Sequence, residues 1–486
     1  MKKIDAPQKA QTAFSLGNSA IAAAPASAAA LAAAAEIAEF GARNGAEYDA
    51  ISRDIWEHPE VAFHEERSSS IYEKRLASKG FSVTEFPEMK HSFVAERGSG
   101  GPIIAFMGEY DALPGMSQVC GLEKKPANEG APGHACGHNL LGAGSLAAAE
   151  TLTHILEARG IPGRVRYYGC PAEESLGRIP MVKAGRFSDA DAIMTWHGAD
   201  VNTPHRYTSS ANLSLVFSFK GRASHAGMAP QAGRSALDAV QLFNISLEFM
   251  REHLSPGILL HYVISDGGDR PNIVPAHAAT FLYVRAPTAD VVPLVMKRIM
   301  KAAQGAALMT ETSFTSEIKA GKCDYRPNYA IQDLLYRAMG SLPLPVPTPE
   351  ELAFAKSLQS TVEKEDRKAT LAPIGAPLEL LKSPIHRTLG DFGEGKRIGG
   401  SLDTGDVSYV VPVGQMNAAT WPLGIGAHTW QSCAASGSTW AFKAMRWAGA
   451  CMALAGFGLV TEPEILAAAK AEFKANYRPY RSTMDL

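Results

Sequence analysis

Apolar positions along the chain follow two rhythms, and the change between them marks out the architecture. From about Ile37 to Leu76 they recur at helical spacing, broken at His58-Pro59. Short, largely continuous apolar runs then alternate with helical stretches. PIIAFMG (102–108), VRYYGC (165–170) and DAIMTWH (191–197) read as buried strands, and NLLGAGSLAAAETLTHILEARG (139–160) as a helix closed by Gly160. Such runs suit strands buried on both faces. The pattern predicts an α/β fold with a mostly parallel sheet flanked by helices.

The middle of the chain reads differently. SLVFSFKG (214–221), GILLHYVIS (257–265), ATFLYVRA (279–286) and TETSFTSEIKA (310–320) predict strands, while Arg234 to His253 and Ala289 to Ala307 predict helices. The order β-α-β-β-α-β is ferredoxin-like. A complete unit of this kind predicts an inserted α+β domain at 207–321, interrupting a discontinuous main domain of residues 37–206 and 322–486. The Pro- and charge-rich stretch from Leu342 to Lys396 reads as surface excursions. DVSYVVP (406–412) reads as the last sheet segment, with a helix from about Ser438 to Ala455.

Residues 1–36 need a separate decision. Lys2 and Lys3 precede an Ala-rich run from about Ser19 to Ala35. The run is built of small residues rather than Leu, and Asp5, Lys9 and Pro25 interrupt its approach. It reads as a disordered leader entering the first helix, with an export signal as the alternative. No later stretch of about 18 strongly apolar residues is evident, which predicts no membrane span. A chain of 486 residues with 46% hydrophobic content can bury a large core in two or more domains. A net charge of -2 gives no broad attraction to nucleic acid or anionic membranes. Six scattered cysteines fit a reducing, cytoplasmic setting.

Candidate chemistry falls on loops just past the carboxyl ends of the predicted strands, where open α/β sheets place it. GEYDALPG (108–115), PAEES (171–175), WHG (196–198) and AHTWQ (427–431) follow sheet-like segments, and GHACGHN (133–139) opens the helix. Each alone reads more readily as structure. A strand-end His such as His197 or His428 is ordinarily a hydrogen-bonded structural residue, and a Glu pair a solvated turn. Five together are harder to dismiss. Thiolate, imidazole and carboxylate are the ligands of a zinc-like ion. Gly137 lets the backbone turn so that Cys136 and His138 face one region. With Glu174, His197 and His428 they make five donors, more than one open catalytic ion requires and suited to a pair of metals. Zinc, manganese and cobalt are all compatible. Glu173, left over from the acidic doublet, is the candidate to take a proton from metal-activated water and pass it to the leaving amine; a helix cap is its plain alternative.

As a set, GEYDALPG, GHACGHNLLG, PAEES, WHG, ASHAGMAPQAGRSALDAV, NIVP and GDVSYVVP with AHTWQ resemble the amidohydrolase branch of the M20 metallopeptidase family, from about Ile51 to Met452. Within it the pattern is most similar to the group formed by the B subunits of aminobenzoyl-glutamate utilisation. The resemblance implies a di-metal hydrolase of C–N amide bonds with a lid domain that dimerises. It implies Cys136, His138, Glu174, His197 and His428 as metal ligands, Glu173 as general base, and Asp111 as the residue that orients a ligand imidazole. It implies that His225 in the lid reaches the active site of the other subunit and polarises the scissile carbonyl. Asn272 and Arg285 match positions associated with the substrate carboxylate, a surface strand Arg being the plain alternative for Arg285. Glu109 stands where many members of the wider family have a metal-binding His, so that ligand is absent. Asn139 replaces the Asp common in the auxin-conjugate hydrolase group, which favours the aminobenzoyl-glutamate group.

The expected function is hydrolysis of N-acyl or N-aroyl amino acids by a homodimer, or a heteromer, joined through the lid. A dipeptidase or aminopeptidase on the same scaffold is the nearest rival. A ligand-binding subunit that does not cleave has no need of a base beside its metals, and Cys136 as a covalent nucleophile leaves His138 and the acidic doublet unexplained.

Overall fold

The computed structural model describes residues 28–486, which divide into two units. The first takes the chain up to Tyr207 together with Pro327–Lys396 and Val410–Tyr477. The second takes Thr208–Arg326, Arg397–Tyr409 and Arg478–Leu486. The expected leader lies outside the described residues as far as residue 27. From Ala28 the chain is already helical, in one helix that runs to Glu57, so the leader's last residues are helix rather than coil.

A seven-stranded sheet organises the first unit. Its strands are β1 (Ser82–Glu85), β2 (Phe93–Ser99), β3 (Ile103–Glu109), β4 (Gly163–Cys170), β5 (Ala192–Ala199), β6 (Thr203–Pro204) and β11 (Val413–Ala419). They lie in the order β1-β2-β4-β3-β5-β11-β6. The four central strands, β4, β3, β5 and β11, are mutually parallel, and the outer ones pair antiparallel. Every residue of β3 and β11 is buried, as strands covered on both faces require. One expectation fails here. DVSYVVP is not the last strand: Thr404–Val407 is a helical turn, and the strand begins at Val413. Asp406 and Ser408 accept hydrogen bonds from the backbone N–H groups of Cys323 and Arg326, which holds that segment out of the sheet.

Small residues govern the helix packing. The His138–Ala158 helix is buried along nearly its whole length against Ala28–Glu57 and Thr439–Thr461. A Cβ added at Gly449 would stand 2.7 Å from the Gly144 carbonyl oxygen, and one at Gly144 would stand 2.7 Å from Nε1 of Trp196. Thr439–Thr461 is also the one helix among the described residues that is long and apolar enough to cross a membrane, and most of it is buried in this core.

The second unit is the expected split β-α-β arrangement. Strands β7 (Ala211–Lys220), β8 (Leu259–Asp266), β9 (His277–Ala286) and β10 (Ser313–Lys322) form an antiparallel sheet in the order β10-β7-β9-β8. Helices Ala236–Arg251 and Val292–Thr310 pack on it around Phe217, Phe219, Phe243, Leu282 and Ile299. Strand β8 is an edge.

Candidate metal centre

The parallel strands deliver the candidate donors to one end of the first unit's sheet. Asp111 follows β3, Glu173 and Glu174 follow β4, and His197 sits near the end of β5. Gly137, at φ 77°, caps the His138–Ala158 helix in a left-handed turn that L-residues seldom adopt. That turn sets Cys136 beside the helix's first residue. The His428 loop is brought in by the backbone: its N–H and the Ser432 hydroxyl both donate to the Ala135 carbonyl, at 2.9 and 2.7 Å. Cys136 and His428, remote in sequence, therefore meet.

Two groups result, each with its donor atoms within 4.8 Å of one another: Cys136, His138 and His197, and Cys136, Glu174 and His428. Cys136 belongs to both. Its sulfur lies 3.4 Å from Nε2 of His197, and Oε1 of Glu174 lies 3.1 Å from Nε2 of His428. The imidazoles are oriented from behind. Nδ1 of His138 donates to the Asp111 side chain at 2.9 Å and to its carbonyl at 3.0 Å. Nδ1 of His197 donates to the Gly198 carbonyl at 2.6 Å. Each ring therefore turns Nε2 toward the site, and with a metal bound there the remaining proton would sit on Nδ1. The other Asp111 oxygen accepts the Glu174 N–H at 2.9 Å, so one carboxylate fixes a ring and the acidic turn together.

The electrostatics are those of a site short of positive charge. Burial opposes ionisation of Cys136, but the imidazoles of His138 and His197 outweigh it and hold the thiol well below its usual range. Burial, then the charge on Cys136, pushes Glu174 up to about 7. Hydrogen bonding to Cys136 and then to Glu174 raises His428 to about 10. Nε2 of His138 is buried without a hydrogen-bond partner. Buried donors of mixed S, N and O character, converging in two groups, fit divalent cations.

Three residues around this centre were not expected from sequence. Arg178 is fully buried and pairs with Glu109, whose other oxygen lies 3.2 Å from Nε2 of His138. Glu65, also fully buried, accepts the Ala172 N–H at 2.7 Å, and burial together with the charge on Asp111 raises it to about 8. Ala172 has φ 56°, a strained value for a non-glycine, directly before Glu173. Only the PAEESLGR and HEE contexts hinted at Arg178 and Glu65. Asn139 donates to the Ser52 hydroxyl and the Ser436 carbonyl, at 3.1 Å each, a task the Asp of related sequences could not perform while ionised.

The remaining predicted residues lie in the second unit. His225 is exposed, and its Nδ1 accepts from the backbone N–H groups of Gly227 and Met228. Asn272 is next to it, its carbonyl accepting from Ala226 N–H. Arg285 is not with them. It sits eight residues along β9 from His277, about 27 Å at strand rise, and donates to the Gly399 carbonyl and the Ser401 hydroxyl.

The chain is similar to known proteins over most of its length. The profile of the M20 peptidase dimerisation domain matches residues 207–309. The chain is 36% identical over 449 residues to the B subunit of p-aminobenzoyl-glutamate hydrolase of Escherichia coli, covering 89% of this chain and 93% of that one. It is 28% identical over 446 residues to human Xaa-Arg dipeptidase, covering 87% and 88%. A dinuclear metal-binding peptidase of the M20 family from Bacillus subtilis shares the fold, with a TM-score of 0.55 at 16% identity over 87% of this chain and 99% of that one. The chain belongs to the M20 metallopeptidase family. As a member it is a hydrolase acting on amide bonds.

Proposed function

We propose that the protein hydrolyses the amide bond of N-acyl or N-aroyl amino acids, aminobenzoyl-glutamate-like compounds among them. Cys136, His138, His197, Glu174 and His428 would hold two divalent ions, zinc or manganese, with cobalt also accepted. The observation that carries this reading is the sharing of Cys136 by both donor groups, the arrangement a bridging thiolate gives. Once bound, such a pair of ions lowers the pKa of water and polarises a carbonyl.

The side chains do the rest. Glu173, buried beside the site with an oxygen 4.0 Å from Nε2 of His138, takes the proton of the attacking water and returns it to the departing nitrogen. Asp111 holds His138 in the tautomer that leaves Nε2 unprotonated. In the second unit, backbone donors occupy Nδ1 of His225, so its proton is on Nε2, free to donate to the scissile carbonyl in the other subunit's site. Asn272 pairs with the His225 segment through its backbone carbonyl, and Arg285, remote from His225 within one subunit, would receive the substrate carboxylate in a site completed by the other subunit's His225.

Dimerisation through the second unit is supported by its surface. Ile245 and Phe249, one helical turn apart, are exposed, as are Leu259, Val263 and Ile264 on the edge strand β8. An apolar edge strand of this kind asks for a second copy or a related subunit. All six cysteines are free, which supports placement in a reducing cytoplasm.

The test is a panel of N-acyl and N-aroyl glutamates and aspartates set against dipeptides with a free amine. Turnover of the aroyl amino acids by metal-loaded protein, lost on chelation, is the expected result. Cleavage of dipeptides alone would favour the dipeptidase reading, for which similarity to the human enzyme speaks. No turnover of either class sinks both.

The cross-subunit role of His225 has its own test. Homodimers of Glu173→Ala and of His225→Ala are each inactive, but mixing and re-equilibrating them should recover about a quarter of the wild-type rate. Half of the dimers are then mixed, and one of the two sites in each is intact. No recovery in demonstrably mixed dimers removes His225 from the other subunit's chemistry.

A further inference from the structure

Two loops at the active end of the first unit rest on one short segment, Glu60 to Glu65. The Glu60 carbonyl accepts the N–H of Ala112, next to Asp111, at 2.7 Å. The Glu65 carboxylate accepts the N–H of Ala172, next to Glu173, at 2.7 Å. Glu65 and Ala172 are both fully buried.

Glu65 stands at the N-cap position of the helix Glu66–Ser78, yet its side chain makes no capping bond to that helix. Glu60 supplies the cap. Its carboxylate accepts the N–H groups of Arg67 and Ser68, at 2.9 and 2.8 Å, and the Ser68 hydroxyl at 2.8 Å. The helix therefore has no call on the Glu65 carboxylate, and burying such a group is costly.

What Glu65 holds is a residue in a conformation that alanine disfavours. Ala172 has φ 56°, in the left-handed region where its Cβ is crowded. Its carbonyl is fixed as well, by the N–H groups of Ser175 and Gly177 at 3.1 and 2.7 Å. With the N–H tied on one side and the carbonyl on the other, the residue cannot relax. Without an acceptor at residue 65 the buried N–H is left unpaired, and rotation of Ala172 toward negative φ relieves both costs. That rotation turns the chain just where Glu173 leaves it.

We infer that Glu65 is a positioning residue for the reaction: by holding the Ala172 N–H it keeps the strained residue in place and so aims the Glu173 carboxylate. This inference rests on the reading of Glu173 as general base and deepens it. The task needs only an acceptor oxygen, so it does not depend on the charge of Glu65.

Glu65→Ala, Glu65→Gln and the double substitution Glu65→Ala with Ala172→Gly are compared as full-length, metal-loaded protein. Glu65→Ala should lower kcat about 10–100-fold, the cost of displacing a reacting group by about 1 Å, with KM nearly unchanged and metal content as in the wild type. In Glu65→Gln the amide oxygen accepts the same N–H, and most of the rate should return. Glycine takes a positive φ without strain, so the double variant should recover part of the kcat lost in Glu65→Ala. Hydrogen exchange gives a readout apart from turnover: the Ala172 amide should be protected in the wild type and in Glu65→Gln and lose that protection in Glu65→Ala. A residue that only stabilises the fold lowers the melting temperature and leaves kcat of the folded fraction unchanged. That result overturns the assignment, as does a glutamine variant no better than the alanine one. Where Glu65→Ala does not fold, Glu65→Leu, which keeps the volume without the acceptor, takes its place; failure of both to fold, unrecovered by the glycine, makes the role structural and overturns it too. Glu173→Ala, measured alongside, separates the two readings. Near-normal kcat there defeats the base and its positioning together, while an inactive Glu173→Ala beside a fully active Glu65→Ala defeats the positioning alone.

Discussion

Replacing Glu173 with Ala lowers kcat by about 10²–10⁴-fold, the range a positioned general base contributes, while two ions remain bound. Retention of metal follows from how the acidic turn is built. The Glu174 N–H is held by Asp111 and the Ala172 N–H by Glu65, at 2.9 and 2.7 Å, so neither anchor uses the Glu173 side chain. The turn survives the truncation, and Glu174 still reaches His428. What is lost is a carboxylate placed to carry one proton from water to the leaving amine. KM should change little, because no substrate contact is assigned to Glu173. Steady-state kinetics together with metal analysis of the same preparation checks this. A variant that retains near-normal kcat removes Glu173 from the mechanism, and one that loses its metals makes it a ligand instead.

Cys136→Ser should have the larger structural effect: both ions are released, and activity drops to that of the chelated wild type. Most ligand substitutions in a paired site weaken one ion. Cys136 is common to both donor groups, so its loss strikes both. Serine is nearly isosteric but does not substitute, since the imidazoles that hold the thiol well below its usual range leave a hydroxyl protonated at neutral pH. His428→Ala, by contrast, removes a donor from one group only and should leave one ion in place. Alkylation gives an independent readout: Cys136 should react after metal removal and be protected before it. A Cys136→Ser protein that keeps two ions but is inactive would favour a covalent nucleophile and defeat the bridging role.

The donor set was legible because its logic is local. Apolar runs marked β3, β4 and β5, and reactive residues placed at their ends had to converge once those strands were parallel. The last strand was harder. DVSYVVP carries the β-branched and aromatic residues that favour strands, whereas VGQMNAA carries Gln415 and Asn417 and looks like loop. In the fold the amide nitrogens of Gln415 and Asn417 pair with His205 and Tyr207, and Asp406 is drawn into a turn by Cys323, so tertiary pairing overrides propensity. Arg178 and Glu65 were invisible for a related reason. A charged residue is fully buried only when its partner is in place, and Glu109 lies 69 residues from Arg178 along the chain.

The seating of Gly144 against Gly449 has a consequence for how the centre tolerates change. His138 is the first residue of a helix that touches its neighbour through bare main chain, and touches the indole beside His197 at the same point. Such a joint has no rotamer to yield. The imidazole's coordinates are inherited from the axis of that rod, and one added carbon at either glycine would be transmitted along it rather than absorbed. These two glycine hydrogens are not free to become methyls.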